Sequence, residues 1–255
     1  MQQTTSWLNL PSLSLSMKAL FTGYILVAGL GLIMAGAQIM FTHGMADGKF
    51  GLSVDDIVYS YYGNREGSKL EAKLNGSMQD KATPEENLIM IQWARDGASE
   101  SEWQPTIKPI VEAKCAMCHA NMPSLPNLSN YENMKQIAAV DHGAEIESLT
   151  RVSHIHLFGI AFIFFFIGLI FSLAVGFNKW LKALLIFTPF AFLILDIAAW
   201  WLTKLHPGFA YMVMAGGFGY SVAAGIMMFS SLYQMWIMPL RGQSSNENTW
   251  QEANH

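Results

Sequence analysis

Charge is what this sequence has least of. Only 13% of its 255 residues are Asp, Glu, Lys or Arg, about half the share of an ordinary soluble domain. A chain made solely of soluble globular structure is thereby excluded. The charges present sum to -4, so there is no basic excess to meet a phosphate backbone, and nucleic acid is set aside as a partner. Cysteine is scarce as well. Two residues, Cys115 and Cys118, cannot build the disulfide framework of a small secreted domain, and they leave a structural zinc site two ligands short.

What is there in quantity is apolar. The hydrophobic share is 52%, and four runs, at about 17–41, 154–177, 181–203 and 209–238, are each long enough to cross about 30 Å of hydrocarbon as a helix. Residues 1–16 form a polar leader with a scatter of Trp7, Leu8, Leu10, Leu13 and Leu15, and 239–255 a polar tail. Ala35-Gly36-Ala37 imitates a signal-peptidase site, but the run is read as a retained anchor. Lys18, Lys179, Lys182 and Arg241 flank the runs on one side, so the positive-inside bias puts both termini in the cytoplasm and 42–153 outside. Lys204 is the exception.

Within 42–153, Lys114-Cys115-Ala116-Met117-Cys118-His119 has the C-x-x-C-H spacing of covalent c-type haem attachment. Two thiols one helical turn apart can each form a thioether to a haem vinyl group, and the adjacent imidazole of His119 then becomes the proximal iron ligand. A disulfide or redox pair is the alternative, but no strand leads into a redox helix here. The expected cofactor is therefore one covalent haem c.

Helix signals surround the motif. Ser53-Val54-Asp55-Asp56 starts one helix, and Thr83-Pro84-Glu85-Glu86 starts another that closes at Asp96-Gly97. A further helix begins after Pro105 and carries Ile107, Ile110 and Val111 into Cys115, and 130–139 forms a last one.

The stretch TIKPIVEAKCAMCHA resembles the haem-bearing first helix of a class I cytochrome c, and LNGSMQDKATPEENLIMIQWARDGA resembles that family's methionine loop and last helix. Their order is reversed relative to the family, which implies a circular permutation, cheap where termini lie close together. The likeness covers about 45 residues and stops short of the membrane runs. It implies that the haem domain is periplasmic in a bacterial inner membrane, and that Met78 is the distal iron ligand. Met122, Met134 and His142 are rivals for that place.

Other polar residues belong to the membrane runs. His43, His154, His156 and His206 fall near the outer boundary. His154 and His156 lie about 200° apart on a helix, so only one of them can join a site. His156 with His43 or His206 can hold a b-type haem or a metal, or a histidine can take the hydroxyl proton of a quinol. Asp196 lies within the third run, where an ionisable group is costly. It is either part of a proton path or a packing residue held by Gln38 or by a tryptophan of the Trp200-Trp201 pair. Pro189 interrupts that run, and Ala215, Gly216, Gly217, Gly219, Ala223, Ala224 and Gly225 give the fourth a small-residue surface for close packing.

The sum is an all-α protein: four transmembrane helices, with a small helical periplasmic cytochrome c-like domain inserted between helices one and two. Three functions fit it. One is a membrane-bound cytochrome passing electrons from a respiratory complex or the quinol pool to a periplasmic redox partner, an electron-transfer protein rather than a self-contained enzyme. Another is a quinol-oxidising subunit. The last is an accessory docking subunit of a larger membrane complex.

Overall fold

The computed structural model describes residues 8–42, 44, 51–120, 122, 125–243, 245 and 249–250. It is all-helical, and among the described residues the sole β feature is an isolated antiparallel bridge between Ser68 and Val140. The chain divides into two compact units. One comprises Met1–Ile39, Ile146–Leu202 and Gly208–His255; the other comprises Met40–Glu145 and Thr203–Pro207.

The first unit is built on α1 (Leu15–Thr42), with the four candidate membrane spans at Leu15–Phe41, Ile146–Ser172, Lys179–Leu205 and Pro207–Leu240. The shortest spans have 27 residues, about 40 Å of helix at 1.5 Å per residue, enough to cross the hydrocarbon. This is a multi-pass membrane protein. The second span begins at Ile146, eight residues before the apolar run, because Glu147, Thr150 and Arg151 extend the helix beyond its apolar part.

In the second unit, α2 (Val54–Tyr61) starts from a capping box in which Ser53 and Asp56 satisfy each other's backbone donors. Next come α3 (Lys69–Leu74), a 3-10 turn at Gln79–Lys81, and α4 (Pro84–Arg95), whose own capping box pairs Thr83 with Glu86. The helix leading to the cysteines starts earlier than the sequence predicts. It runs from α5 (Glu100–Glu102) through a π turn at Trp103–Ile107 into α6 (Lys108–Lys114). Pro105 and Pro109 each remove an i→i−4 donor, and the widened turn, in which the Lys108 N–H reaches the Trp103 carbonyl, accommodates them without ending the helix. One further turn, α7 (Ala116–His119), and α8 (Tyr131–Ala138) complete the unit.

Its core gathers Leu70 and Leu74 of α3, Met90, Ile91, Trp93 and Ala94 of α4, Trp103, Ile107 and Val111 of the cysteine helix, and Leu128, Met134 and Ala138 around α8. Two polar tips inside it are satisfied: Trp93 Nε1 donates to the Ser99 carbonyl at 2.9 Å and the Tyr131 hydroxyl to the Ala98 carbonyl at 2.9 Å. Elsewhere in this unit the backbone crosses itself at two glycines. A Cβ on Gly63 would collide with the Asp141 carbonyl and one on Gly143 with the Tyr61 carbonyl, and both glycines adopt positive φ, +85° and +71°.

The remaining membrane helices are α9 (Ile146–Ser172), α10 (Lys179–Leu205) and α11 (Ala210–Leu232), the last continued through a π turn at Tyr233–Ile237 into α12 (Met238–Leu240). Phe164, Ile167 and Phe171 form the buried face of α9. Phe164 meets Phe190 of α10 and Tyr220 of α11 at centroid distances of 6.3 and 5.5 Å. Against α10, α11 presents bare backbone: a Cβ on Gly216 would lie 2.7 Å from Asp196 Cβ, and one on Gly219 would strike the Phe192 ring. Within α10, Thr188 Oγ1 donates to the Leu184 carbonyl at 2.7 Å beside Pro189, which itself can donate to no carbonyl. The buried turn after α9 is closed by Gln234, whose amide accepts from the Val175 N–H at 2.8 Å and donates to the Val175 carbonyl at 2.9 Å.

Candidate haem-binding site

The π turn and α6 deliver the motif by burying Ile107 and Val111 in the core while the far end of α6 emerges from it. Cys115 is the hinge between α6 and α7, and its carbonyl accepts from both the Cys118 N–H at 3.2 Å and the His119 N–H at 3.0 Å. The two cysteines are thus joined by one helical turn, and both thiols are free. Their surroundings differ. Cys115 is half-buried against the core, and Cys118 is exposed. Burial pushes the Cys115 thiol up from its ordinary value, and the nearby Glu86 carboxylate adds to the effect.

Glu86 itself is held below the usual carboxylate range, first by the Thr83 backbone N–H and also by Lys114. Lys114 Nζ lies 3.6 Å from Glu86 Oε2. The N-terminus of α4 is therefore fastened to the residue before Cys115.

His119 is oriented by a residue the sequence reading did not single out. Its Nδ1 lies 2.8 Å from the Pro126 carbonyl oxygen, which can only accept, so Nδ1 carries a proton, and in the neutral ring Nε2 is the nitrogen with the lone pair. That is the arrangement in which a metal-ligating histidine donates its other ring N–H to a backbone carbonyl. Pro126 is fixed in turn, because Asn133 of α8 donates to the Asn127 carbonyl at 2.8 Å and Leu128 is buried in the core.

Met78 is half-buried against the same core as Cys115. Its N–H donates to the Lys73 carbonyl at 2.8 Å, and its own carbonyl accepts from the Lys81 N–H at 3.1 Å. Among the rivals, Met134 is fully enclosed as core packing, Met122 is half exposed and follows the motif at one turn's distance, and His142 is exposed.

Two unpaired thiols on one helical turn and an imidazole with Nε2 open fit a covalently attached haem. Among the described residues no three His, Cys, Asp or Glu side chains converge on a point that could hold a lone metal ion.

The polar residues of the membrane runs differ in their surroundings. His43 lies outside the described residues. His154 is exposed and packs its ring 5.0 Å from Phe158, whereas His156 is half-buried, donates from Nδ1 to the Val152 carbonyl at 2.9 Å and meets the Trp200 ring edge-on at 5.2 Å. His206 is exposed and belongs to the other unit. Asp196 is buried and accepts from Trp200 Nε1 at 3.0 Å, one turn along α10, with Gly216 of α11 against it.

Sequence comparison matches residues 139–242 to a family described as a transmembrane helical domain. The match spans α9, α10 and α11 and ends before Cys115 is reached in the other direction. No curated protein matches the chain, and no solved structure does.

Proposed function

We propose that the protein is a membrane-anchored c-type cytochrome, with Cys115 and Cys118 as thioether attachment points and His119 as the axial iron ligand. The observation that carries this reading is the His119 Nδ1 hydrogen bond to Pro126, which in the neutral ring leaves Nε2 to ligate a metal, on the helical turn that carries two free thiols. When bound, haem c supplies one-electron iron chemistry. The chain's part would be to hold it: α6 anchors the motif in the core, Pro126 orients the imidazole, and Met78, from the loop before α4, would supply a thioether as a further iron ligand. The resemblance to class I cytochromes and the distribution of Lys and Arg favour a periplasmic position for this unit, at a bacterial inner membrane.

Such a unit carries electrons between a membrane complex or the quinol pool and a periplasmic redox partner. One helix would suffice as a tether, so four favour membership of a larger membrane assembly. Redox titration of the purified full-length protein tests the reading. A single one-electron wave in the haem absorption bands, lost in His119→Ala, is expected; a protein with no titrating chromophore would overturn it.

His156 supports a second use of the membrane helices. With Nδ1 committed to Val152 and the ring half-exposed, Nε2 is placed to accept a hydroxyl proton from a quinol. Haem reduction by a quinol analogue, lost in His156→Ala, would establish that entry route; reduction unchanged by the substitution would remove it.

A further inference from the structure

Asn87, in the first turns of α4, spans from that helix to the methionine loop. Its side-chain Nδ2 donates to the Gln79 carbonyl at 2.8 Å, immediately after Met78. Asn87 is buried, 6% exposed, while Gln79 at the other end of the bond is exposed. Met78 is tied on its other side by its N–H to Lys73 of α3. The loop Gly76–Lys81 is therefore tied to both flanking helices, to α3 by the Gly76 and Met78 N–H groups on the Lys73 carbonyl and to α4 by the Asn87 side chain.

The other polar atom of the Asn87 side chain, Oδ1, is buried with no protein partner among the described groups. The amide cannot be turned round to repair this, since Oδ1 would then face the Gln79 carbonyl, acceptor against acceptor. Beside it, between the loop and α4, opens a cleft of about 430 Å³ lined in part by Leu74, Gln79, Pro84 and Leu88. The loop is thus not held by packing on that side, and the Asn87 bond carries the restraint.

We propose that Asn87 is the positioning residue for the Met78 thioether, holding the loop so that the sulfur stays on the haem iron. This rests on the reading of Met78 as the distal ligand. An iron–thioether bond is weak enough for the protein's restraint on the sulfur to decide whether it persists, and axial ligation sets the potential.

The test uses full-length protein with haem attached, in four forms: wild type, Met78→Ala, Asn87→Leu and Asn87→Asp. Leucine keeps the volume and removes the unpaired acceptor together with the donor. Aspartate keeps the shape but replaces the donor with an acceptor that carries a charge and faces the Gln79 carbonyl. Both Asn87 variants should retain one haem per chain, weaken the sulfur-to-iron absorption band, lower the midpoint potential and bind added imidazole at least tenfold more tightly. Amide exchange at Gln79 and Lys81 should quicken in both. Leu88→Ala, which lines the cleft without touching the loop carbonyl, should match wild type. If Met78→Ala abolishes the band while both Asn87 variants keep the wild-type band, potential and imidazole affinity, Met78 is the ligand and the role given to Asn87 is wrong. If Met78→Ala itself leaves the band intact, the ligand assignment fails and the inference falls with it.

Discussion

Cys115 and Cys118 differ in what surrounds them, and the difference has a measurable consequence. With its thiol pushed up by burial and by Glu86, Cys115 holds less thiolate at neutral pH than an ordinary cysteine, whereas Cys118 lies in the open. In haem-free protein, iodoacetamide should modify Cys118 several-fold faster than Cys115, as read by peptide mass spectrometry. Equal rates would contradict the burial described for Cys115. Glu86 gives a second test. Its folded pKa lies below its unfolded value of about 4.3. It therefore contributes stability that is fully present above that value and is lost as pH falls through the lower, folded one. The gap in Tm between wild type and Glu86→Gln should narrow steadily below about pH 4.3. Thr83→Ala removes the cap itself and should cost about 1 kcal/mol in denaturant unfolding.

Among the elements, those with a complete cap signature were legible in the sequence. Ser53-x-x-Asp56, Thr83-Pro84-x-Glu86 and Asn130 each start a helix where the spacing predicts one, and Asp96-Gly97 ends α4. The same kind of signal went unread in two places. Ser68-x-x-Glu71 starts α3, just ahead of the stretch that resembles a methionine loop, and Ser99-x-x-Glu102 precedes the helix that Pro105 was expected to begin. The pairing of Asp196 with Trp200 follows from i,i+4 spacing on a helix. The contact of His119 with Pro126 does not, because it depends on the path of an irregular segment that has no period to read. Two element-level substitutions check the packing. Gly143→Ala drives a Cβ into the Tyr61 carbonyl at a positive φ and should cost about 3 kcal/mol, seen as a lower unfolding midpoint. Gly216→Leu should force α11 away from Asp196 and lower the thermal stability of the protein in detergent; an unchanged Tm would refute the close contact.

For the whole molecule, the separation of charge from apolar length is the property that composition foretells most directly. Four spans anchor the chain in a membrane, and the unit bearing Cys115, Cys118 and His119 folds around its own core. The reading of that unit as a cytochrome joins three separate features: the spacing of the cysteines, the tautomer of His119 and the loop that carries Met78. The measurement that tests it most directly is the intact mass of the full-length protein made in cells with a c-type haem attachment system, together with its pyridine haemochrome spectrum. A mass increased by one haem, a c-type spectrum, and loss of both in a Cys115→Ala, Cys118→Ala double variant are expected. A wild-type protein carrying the mass of its sequence alone, with no haem spectrum, would contradict the account.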